Sequence, residues 1–145
     1  MKRTLFLSIL IIFFITSFMS LVGCNNQKDY DLQERCGKRS NEYFQNKYGN
    51  GIISDENEDS HSMYQSHYNK KMNKCFILTT TDGVIKNNNS TYDSRSLFNI
   101  NENQEFGSFY MTKTYTICMI SGKTCRNLLE WDSLVKPYME EWWKK

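Results

Sequence analysis

Histidine is scarce in this chain, because His61 and His67 are the only two among 145 residues. Nucleophilic catalysis needs a serine or cysteine beside a histidine that a third group orients, and neither histidine lies in such a context. Glycine is sparse as well, and Gly49 and Gly51 lack the strand–turn–helix setting of a phosphate-binding loop. No C-x-x-C pair occurs, which argues against zinc. The sequence therefore contains no pattern that predicts a metal or a cofactor.

Carboxylates are the remaining candidates for catalysis. Glu102, Glu105 and Glu130 could supply the acid and base of a glycoside hydrolase, but sequence spacing does not reveal their separation in space. Most exposed carboxylates are simply solvated. The acidic run at 55–59 matches the first three ligand positions of an EF-hand, yet serine stands where the loop needs its glycine and its final glutamate. We interpret this run as a solvated loop.

The first 24 residues contain the longest apolar run of the chain, "MKRTLFLSILIIFFITSFMSLVGC". Lys2 and Arg3 precede the uncharged residues 5–22, an arrangement typical of a secretory signal. A run of this length also reaches the lower limit of a membrane-spanning helix, which is the alternative interpretation. In both cases the positive end stays in the cytoplasm and the remainder faces outward.

The four residues "LVGC" that end this run resemble the lipobox of bacterial lipoproteins. The resemblance implies that Cys24 carries a diacylglycerol and that residues 1–23 are removed as a signal peptide. Residues 24–30 would then form a lipidated tether, and residues 31–145 a single small domain. The expected location is a bacterial membrane, with the domain exposed outside the cytoplasm. Asn25 is not the aspartate of an inner-membrane retention signal, which favours the outer membrane where the host has one.

Charge is balanced once the signal peptide is set aside. The whole chain has 18 lysines and arginines against 16 acidic residues, and the two excess cations are Lys2 and Arg3. The remaining part therefore carries no net charge. It gives no electrostatic reason to expect nucleic acid or an anionic membrane surface as a partner.

Four cysteines remain after Cys24, namely Cys36, Cys75, Cys118 and Cys125. An even number in an exported chain predicts two disulfides, because the compartments outside the cytoplasm are oxidising. Four cysteines allow three pairings. We favour Cys36–Cys75 with Cys118–Cys125, because those pairs suit the order of the expected helices and strands.

The expected fold class is α+β. Apolar spacing predicts a first helix that ends before Gly49, and Asn127 followed by Glu130 has the form of a capping box that begins a final helix. Pro137 should kink that helix or start a second one. Four strands are predicted between the helices, at 74–81, 96–100, 106–112 and 115–120. The natural arrangement is an antiparallel sheet of about four strands, with the N-terminal and C-terminal helices packed on one face.

Two stretches are candidates for a partner surface. Tyr64 and Tyr68 lie near Lys70 and Lys71, a composition suited to an acidic protein loop or a sugar, and Trp143 beside the terminal lysines could contact a partner or a membrane. Alternatively, the tyrosines pack on the sheet and the lysines face water.

The stretches "YNKK-x-NKCF" and "EW-x-x-LVKPYMEE" resemble a group of small bacterial exported proteins without an established activity.

These observations favour a lipid-anchored envelope protein that acts as a non-catalytic binding or structural module. Its expected partners are the membrane, through the N-terminal lipid, and an envelope protein or glycan, without nucleic acid or a cofactor. An inhibitor or immunity lipoprotein directed against a lytic enzyme or a phage is the alternative. A carboxylate-based envelope hydrolase is the third hypothesis.

Overall fold

A computed structural model describes residues 27–140 of the chain. Its contacts divide the chain after Glu34 into two units, Met1–Glu34 and Arg35–Lys145. The first unit is described only over residues 27–34, which are helical, so the last residues of the expected tether belong to a helix. Cys24, Trp143 and the expected signal peptide lie outside the described residues. The second unit holds the sheet and the disulfides.

Helix α1 covers residues 27–48, and the predicted stop before Gly49 is confirmed. Gly49 takes a positive φ of 60°, and its N–H donates to the carbonyl of Gln45 at 3.0 Å, which closes the last turn. Gly51 also has a positive φ, of 80°. A β-carbon there would collide with the carbonyl of Ser62 and the ring of Phe44, so only glycine fits between α1 and the sheet.

Seven antiparallel strands form one meander, in which each strand pairs with its neighbours in sequence. The α+β class is confirmed, but the expected number of strands is too low. The strands are β1 (Ile52–Ser54), β2 (Glu58–Asn69), β3 (Lys74–Ile85), β4 (Ser90–Asn99), β5 (Gln104–Thr112), β6 (Thr116–Ile120) and β7 (Lys123–Thr124). The additional strands are β1, β2 and β7, and β3 and β4 are longer than expected.

Strand β2 lies in a segment whose polar composition gave no strand signal. Its 12 residues nevertheless pair with β3 without a break. Ser60 and Ser62 are buried, and the hydroxyl of Ser62 lies 2.8 Å from that of Thr81 on β3. Strand propensity depends mainly on packing against neighbours, and here cross-strand hydroxyl contacts replace apolar ones.

The two helices pack on opposite faces of the sheet, which corrects the expectation that they share one. Successive side chains of a strand point to opposite faces. In β3, Cys75 is disulfide-bonded to α1, whereas the adjacent Phe76 lies 5.3 Å, ring to ring, from Tyr138 of the C-terminal helix α2 (Leu128–Met139). The same division holds in β4, where Phe98 stacks on Tyr43 of α1. We call the two sides of the sheet the α1 face and the α2 face.

The main core lies between α2 and the sheet. Trp131 is fully buried there, and its ring centroid lies 5.8 Å from that of Phe109. The side chain of Asn127 accepts a hydrogen bond from the N–H of Glu130 at 2.9 Å, which confirms the predicted cap. Pro137 does not divide the helix, because it lies in the last turn and α2 ends at Met139. Further members of this core are Phe76, Leu97, Cys118, Ile120, Cys125 and Val135.

The favoured disulfide pairing is confirmed. Cys36 pairs with Cys75 and Cys118 with Cys125, at Cα separations of 5.4 and 5.0 Å. The first pair joins α1 to β3. The second closes the end of the sheet, because the N–H of Cys125 also donates to the carbonyl of Cys118 and so continues the pairing of β7 with β6.

Candidate functional site

A groove of about 960 Å³ opens on the part of the α2 face that α2 leaves uncovered. Residues from five strands line it, and most of their side chains point to the α2 face. We call this part of the sheet, with the hairpin turns at 55–57 and 86–89, the open end. The lining side chains that point into the groove are Ile52, Ser54, Asp59, His61, Asp82, Val84, Thr91, Asp93 and Met111.

Arg95 marks the boundary between the groove and the helix. Its guanidinium donates to both carboxylate oxygens of Asp93, at 2.9–3.3 Å, and to Asp132 in the first turn of α2 at 3.3 Å. Burial alone lowers the pKa of Arg95, but the hydrogen bonds to Asp93 raise it above its ordinary value overall. The cation therefore fixes Asp93 and holds the start of α2 against the sheet.

Asp82 lies at the middle of the groove floor. It faces Asp93 on one neighbouring strand and His61 on the other, and directly opposed residues have Cβ atoms roughly 5 Å apart. Within residues 27–140 its carboxylate makes no hydrogen bond or ion pair. Since Asp93 is already engaged by Arg95, Asp82 is the carboxylate of the groove floor that is available to a ligand.

Apolar side chains flank these charges. Ile52 of β1 is 61% exposed, and Val84 and Met111 are half-buried on β3 and β5. A groove that combines apolar walls with a few oriented polar groups is the usual composition of a binding site. Its open shape suits a chain segment or a sugar lying across the strands.

The acidic run at 55–59 forms the rim of the groove. It makes the tight turn between β1 and β2, in which Asp55 accepts from the N–H groups of Asn57 and Glu58. The ammonium of Lys86 lies 2.9 Å from Asp59 and also donates to the carbonyl of Asp55. The hydroxyl of Ser54, followed by Lys86, lowers the pKa of Asp59. The ammonium of Lys86 thus lies where a bound cation would contact Asp55 and Asp59. The described residues contain no group of three or more acidic, histidine or cysteine side chains that could hold a metal.

Tyr92 closes the sheet behind the groove, on the α1 face. Its hydroxyl donates to the carboxylate of Glu58, and its ring stacks on that of Tyr110 at 5.7 Å. Burial, followed by the hydrogen bond to Glu58, raises the pKa of Tyr92 to about 12. The phenol therefore remains protonated at any physiological pH and helps to keep the strands beneath the groove in register.

The tyrosines of the expected partner surface pack against the domain. Tyr64 lies 4.7 Å, ring to ring, from Phe44 of α1, and Tyr68 is only 8% exposed and donates to Asn73 at 2.6 Å. Lys70 and Lys71 are exposed in the turn between β2 and β3, far along the strands from the groove. This packing accounts for the tyrosines, whereas Lys70 and Lys71 are exposed to solvent.

The structure does not bring together the three glutamates considered for catalysis. Glu102 accepts from Lys74 and Asn99 in the turn before β5, at 2.8 Å from each. Glu105 accepts from Ser96 on the α1 face, and Glu130 lies in the cap of α2. Each has a structural partner.

Sequence reasoning missed Asp82, Asp93 and Arg95. The available signal was the alternation of Asp93 and Arg95, two positions apart, which places both on one face of a strand. Asp93 and Arg95 lie outside the strands predicted at 74–81 and 96–100, because the stretch that contains them is polar.

Comparisons with known proteins give no relative. Neither a protein-family model, nor a curated protein, nor a solved structure matches this chain. Among residues 27–140, no helix has the length and apolar character that crossing a membrane requires.

Proposed function

We propose that this chain is a lipid-anchored protein of the bacterial envelope, and that its domain is a non-catalytic module that binds an envelope protein or glycan in the groove. The lipobox-like residues 21–24 support the anchor. The two cysteine pairs, each within disulfide distance, support a location in an oxidising compartment outside the cytoplasm. Two acyl chains on Cys24 would hold the protein stably at the membrane.

The position of the groove carries the proposal. Within the second unit the chain comes in along α1 to the bridge between Cys36 and Cys75, at the end of the sheet opposite the groove. Asp82 lies seven residues farther along β3, a distance of roughly 23 Å at about 3.3 Å per residue. The groove therefore lies at the end of the second unit opposite the point where this unit begins, and it is open to a partner there.

Site-specific crosslinking in intact cells tests this function. A photoreactive amino acid replaces Thr91 in the groove in one strain, and Leu129, which is 82% exposed on α2, in a control strain. We expect a defined adduct from position 91, reduced at least fivefold by Asp82→Asn, and no such adduct from position 129. The intact mass of the membrane-bound chain should include acyl chains in the wild type and lack them in Cys24→Ala. Equal labelling at both positions, or labelling at 91 that Asp82→Asn leaves unchanged, contradicts a binding role for the groove.

A carboxylate-based hydrolase is the second candidate, because Asp82 and Asp93 face each other on neighbouring strands. Most glycoside hydrolases use two carboxyl groups that flank the scissile bond. The salt bridge from Arg95 occupies Asp93, however, which favours a structural use for this residue. Release of fragments from purified cell wall by the wild type, and its loss in both Asp82→Asn and Asp93→Asn, would favour the hydrolase over the binding module.

A further inference from the structure

Strand β2 extends well beyond the short strand that pairs with its outer side. That side pairs with β1 only over Asp59–His61, and the N–H of Ser62 then donates to the carbonyl of Gly51 at 2.6 Å. The chain that leads into β1 comes from α1 at this point, while β2 continues to Asn69. We call the outer side of residues 63–69 the β2 edge.

The pairing determines which backbone groups point outward along the β2 edge. In a strand, the N–H and C=O of one residue point to the same side, and those of the next residue point to the other side. Ser62 bonds outward, so the groups of Tyr64 and Ser66 point outward as well, whereas those of Gln65 point towards β3. Within residues 27–140 the N–H and C=O of Tyr64 and Ser66 make no hydrogen bond.

The β2 edge lacks the features that protect the edges of natural sheets, namely short strands, charges, proline and bulges. Strand β1 has three residues, and the side chain of Asn50 accepts from the outward N–H of Ile52 at 3.0 Å. Strand β7 has two residues, one of them Lys123. Residues 62–69, "SMYQSHYN", contain no proline, lysine, arginine or acidic residue, and their ladder with β3 has no bulge. This edge is therefore open to a further strand.

The spacing of the outward groups selects an extended polypeptide. Equivalent groups of Tyr64 and Ser66 lie roughly 6.6 Å apart, twice the rise of about 3.3 Å per residue, and a second strand repeats its own N–H and C=O at the same interval. In strand addition these main-chain hydrogen bonds supply affinity, and contacts of alternate side chains supply specificity. The β2 edge therefore favours a protein over a glycan as the partner.

The β2 edge also leads into the groove. His61 lines the groove on the α2 face, and Met63, two residues farther along β2, points to the same face and is 49% exposed. Helix α1 packs on the other face and reaches Gly51 from there, where Phe44 contacts it. A segment paired with the β2 edge can therefore continue over the α2 face into the groove beside Ile52.

The size of the β2 edge argues against a second copy of this chain as the occupant. Seven residues form a strip roughly 23 Å long and about 10 Å thick, which gives roughly 200 Å². A stable dimer needs about 800 Å² from each partner. An extended segment gains further contact, because its alternate side chains reach both faces of the sheet.

We propose that a partner protein adds an extended segment to the β2 edge as a further strand and continues from there into the groove. The proposal rests on the proposed function and names a polypeptide as the ligand of the groove. The backbone of the segment bonds to Tyr64 and Ser66, and an apolar side chain on the α2 face covers Met63.

Amide hydrogen exchange tests whether the β2 edge is open in the isolated protein. The full chain is purified in detergent, and exchange is followed by nuclear magnetic resonance. We expect the amides of Tyr64 and Ser66 to exchange at least tenfold faster than that of Gln65, because only the last is held by the ladder with β3. Slow exchange of all three would mean that another part of the chain or a second copy covers this edge, which overturns the proposal.

Crosslinking in intact cells tests the partner. A photoreactive amino acid replaces Gln65, exposed on the β2 edge, or Ser108, exposed on β5 between two paired strands. We expect the adduct seen from position 91 to form from position 65 as well, but not from position 108. Ser66→Pro should reduce it at least fivefold, because proline removes an outward N–H and leaves the ladder with β3 intact. Ser66→Ala keeps that N–H and should leave the yield unchanged.

Met63→Lys is a second variant, which keeps every backbone group in place. Lysine protects natural edges, so we expect at least a threefold loss of the adduct from position 65. Met119→Lys is the matched control, at a methionine of β6 that is 51% exposed, and it should leave the yield unchanged. An adduct that neither Ser66→Pro nor Met63→Lys reduces overturns strand addition.

The two crosslinking positions keep the two proposals separate. An adduct from position 91 without one from position 65 contradicts strand addition and leaves the groove as a binding site. The absence of adducts from both positions contradicts both proposals. A link from position 65 to a second copy of the chain, or to another part of the same chain, overturns strand addition by a partner. The same partner protein captured from both positions supports it when the yield also falls in Ser66→Pro.

Discussion

The two ends of strand β3 differ more than any other pair of regions in the domain. At one end Phe76 and Ile77 are fully buried, the first under α2 and the second on the face that α1 covers. Seven residues after Cys75, Asp82 is exposed on the floor of an open groove. Both ends belong to one unbroken ladder with β2 and β4, so hydrogen bonding in the sheet does not cause the difference. The helices cause the difference, because they cover only one end of the sheet.

Stability and the proposed binding therefore depend on different ends of the same strands. Side chains at the covered end contribute apolar burial and disulfide closure, the main sources of stability in a domain of this size. Side chains at the open end contribute little burial, so they can be replaced at small cost. Substitutions at the covered end, at the boundary and at the open end test this division. Their expected effect on stability decreases in that order.

Trp131→Ala should have the largest effect. Removing a fully buried tryptophan from a packed core costs about 4 kcal/mol of the free energy of unfolding. Urea denaturation followed by circular dichroism measures the loss. Trp131→Phe is the matched control, with a smaller loss, because it keeps an aromatic ring and removes an indole N–H that has no partner within residues 27–140. Equal losses for the two variants would show that ring packing is not what matters at this position.

Cys36→Ser/Cys75→Ser should have the next largest effect. The bridge spans 39 residues, and closing a loop of that length contributes about 3–4 kcal/mol by restricting the unfolded chain. The corresponding variant of the pair Cys118 and Cys125, which spans 7 residues, should lose about 2–3 kcal/mol. Thermal unfolding under oxidising conditions checks the order. A larger loss from the shorter bridge would contradict the entropic account.

Arg95→Leu tests the boundary between the two ends. It leaves the carboxylate of Asp93, which is only 14% exposed, without its cation, at an expected cost of about 2 kcal/mol. Asp132→Ala breaks only the more exposed ion pair and should cost about 0.5 kcal/mol. Denaturation midpoints of the two variants give the comparison. A loss in Asp132→Ala as large as that in Arg95→Leu would mean that the tether to α2, and not the pair with Asp93, is what Arg95 supplies.

Glu130→Gln should change the pH dependence of stability by a small amount. The N–H of Arg126, followed by its guanidinium, lowers the pKa of Glu130 in the folded protein. A carboxyl whose folded pKa is depressed stabilises the fold above its unfolded pKa, about 4.3, and loses that contribution as the pH falls through the folded value. The wild type should therefore lose more stability than the variant between about pH 5 and pH 3. Parallel pH profiles of the melting temperature would contradict this linkage.

Asp82→Asn should have the smallest effect on stability, within about 0.5 kcal/mol, because the carboxylate is exposed and makes no hydrogen bond or ion pair within the described part of the chain, and water screens its attraction to Arg95. The same substitution should abolish most of the crosslinking at position 91. Stability comes from denaturation and binding from the yield of the adduct. A destabilised Asp82→Asn with unchanged crosslinking would reverse the assignment of the two ends.

Features that depend on residues close together in the sequence, such as helix ends and caps, could be predicted from it. The end of α1 at Gly49 and the cap at Asn127 are confirmed, because turn chemistry and capping act over short distances. The disulfide pairing is also confirmed, although Cys36 and Cys75 lie 39 residues apart, because it was favoured from the order of the helices and strands. Strand β2 could not be predicted from its polar residues, since Ser62 is buried only because β3 brings Thr81 opposite it. The opposite placement of the helices was also out of reach. Cys75, which is bonded to α1, and the adjacent Phe76 point to different faces of the sheet. Only the folded structure shows that Phe76 packs against Tyr138 of α2.

The groove depends on the same long-range information. His61, Asp82 and Asp93 lie on three strands and meet only through the register of the sheet. Composition drew attention to Glu102, Glu105 and Glu130, but the structure places them apart, each with its own hydrogen-bond partner.

We propose that an exported, disulfide-bonded domain is held at the membrane through Cys24. Intact-mass spectrometry of the membrane fraction, for the wild type and Cys24→Ala, before and after reduction, tests it most directly. The account predicts a wild-type chain that begins at Cys24, carries acyl chains and gains about four hydrogens on reduction of two disulfides. Cys24→Ala should lack the acyl mass. An uncleaved, unacylated chain with four free thiols would contradict both the anchor and the export of the domain.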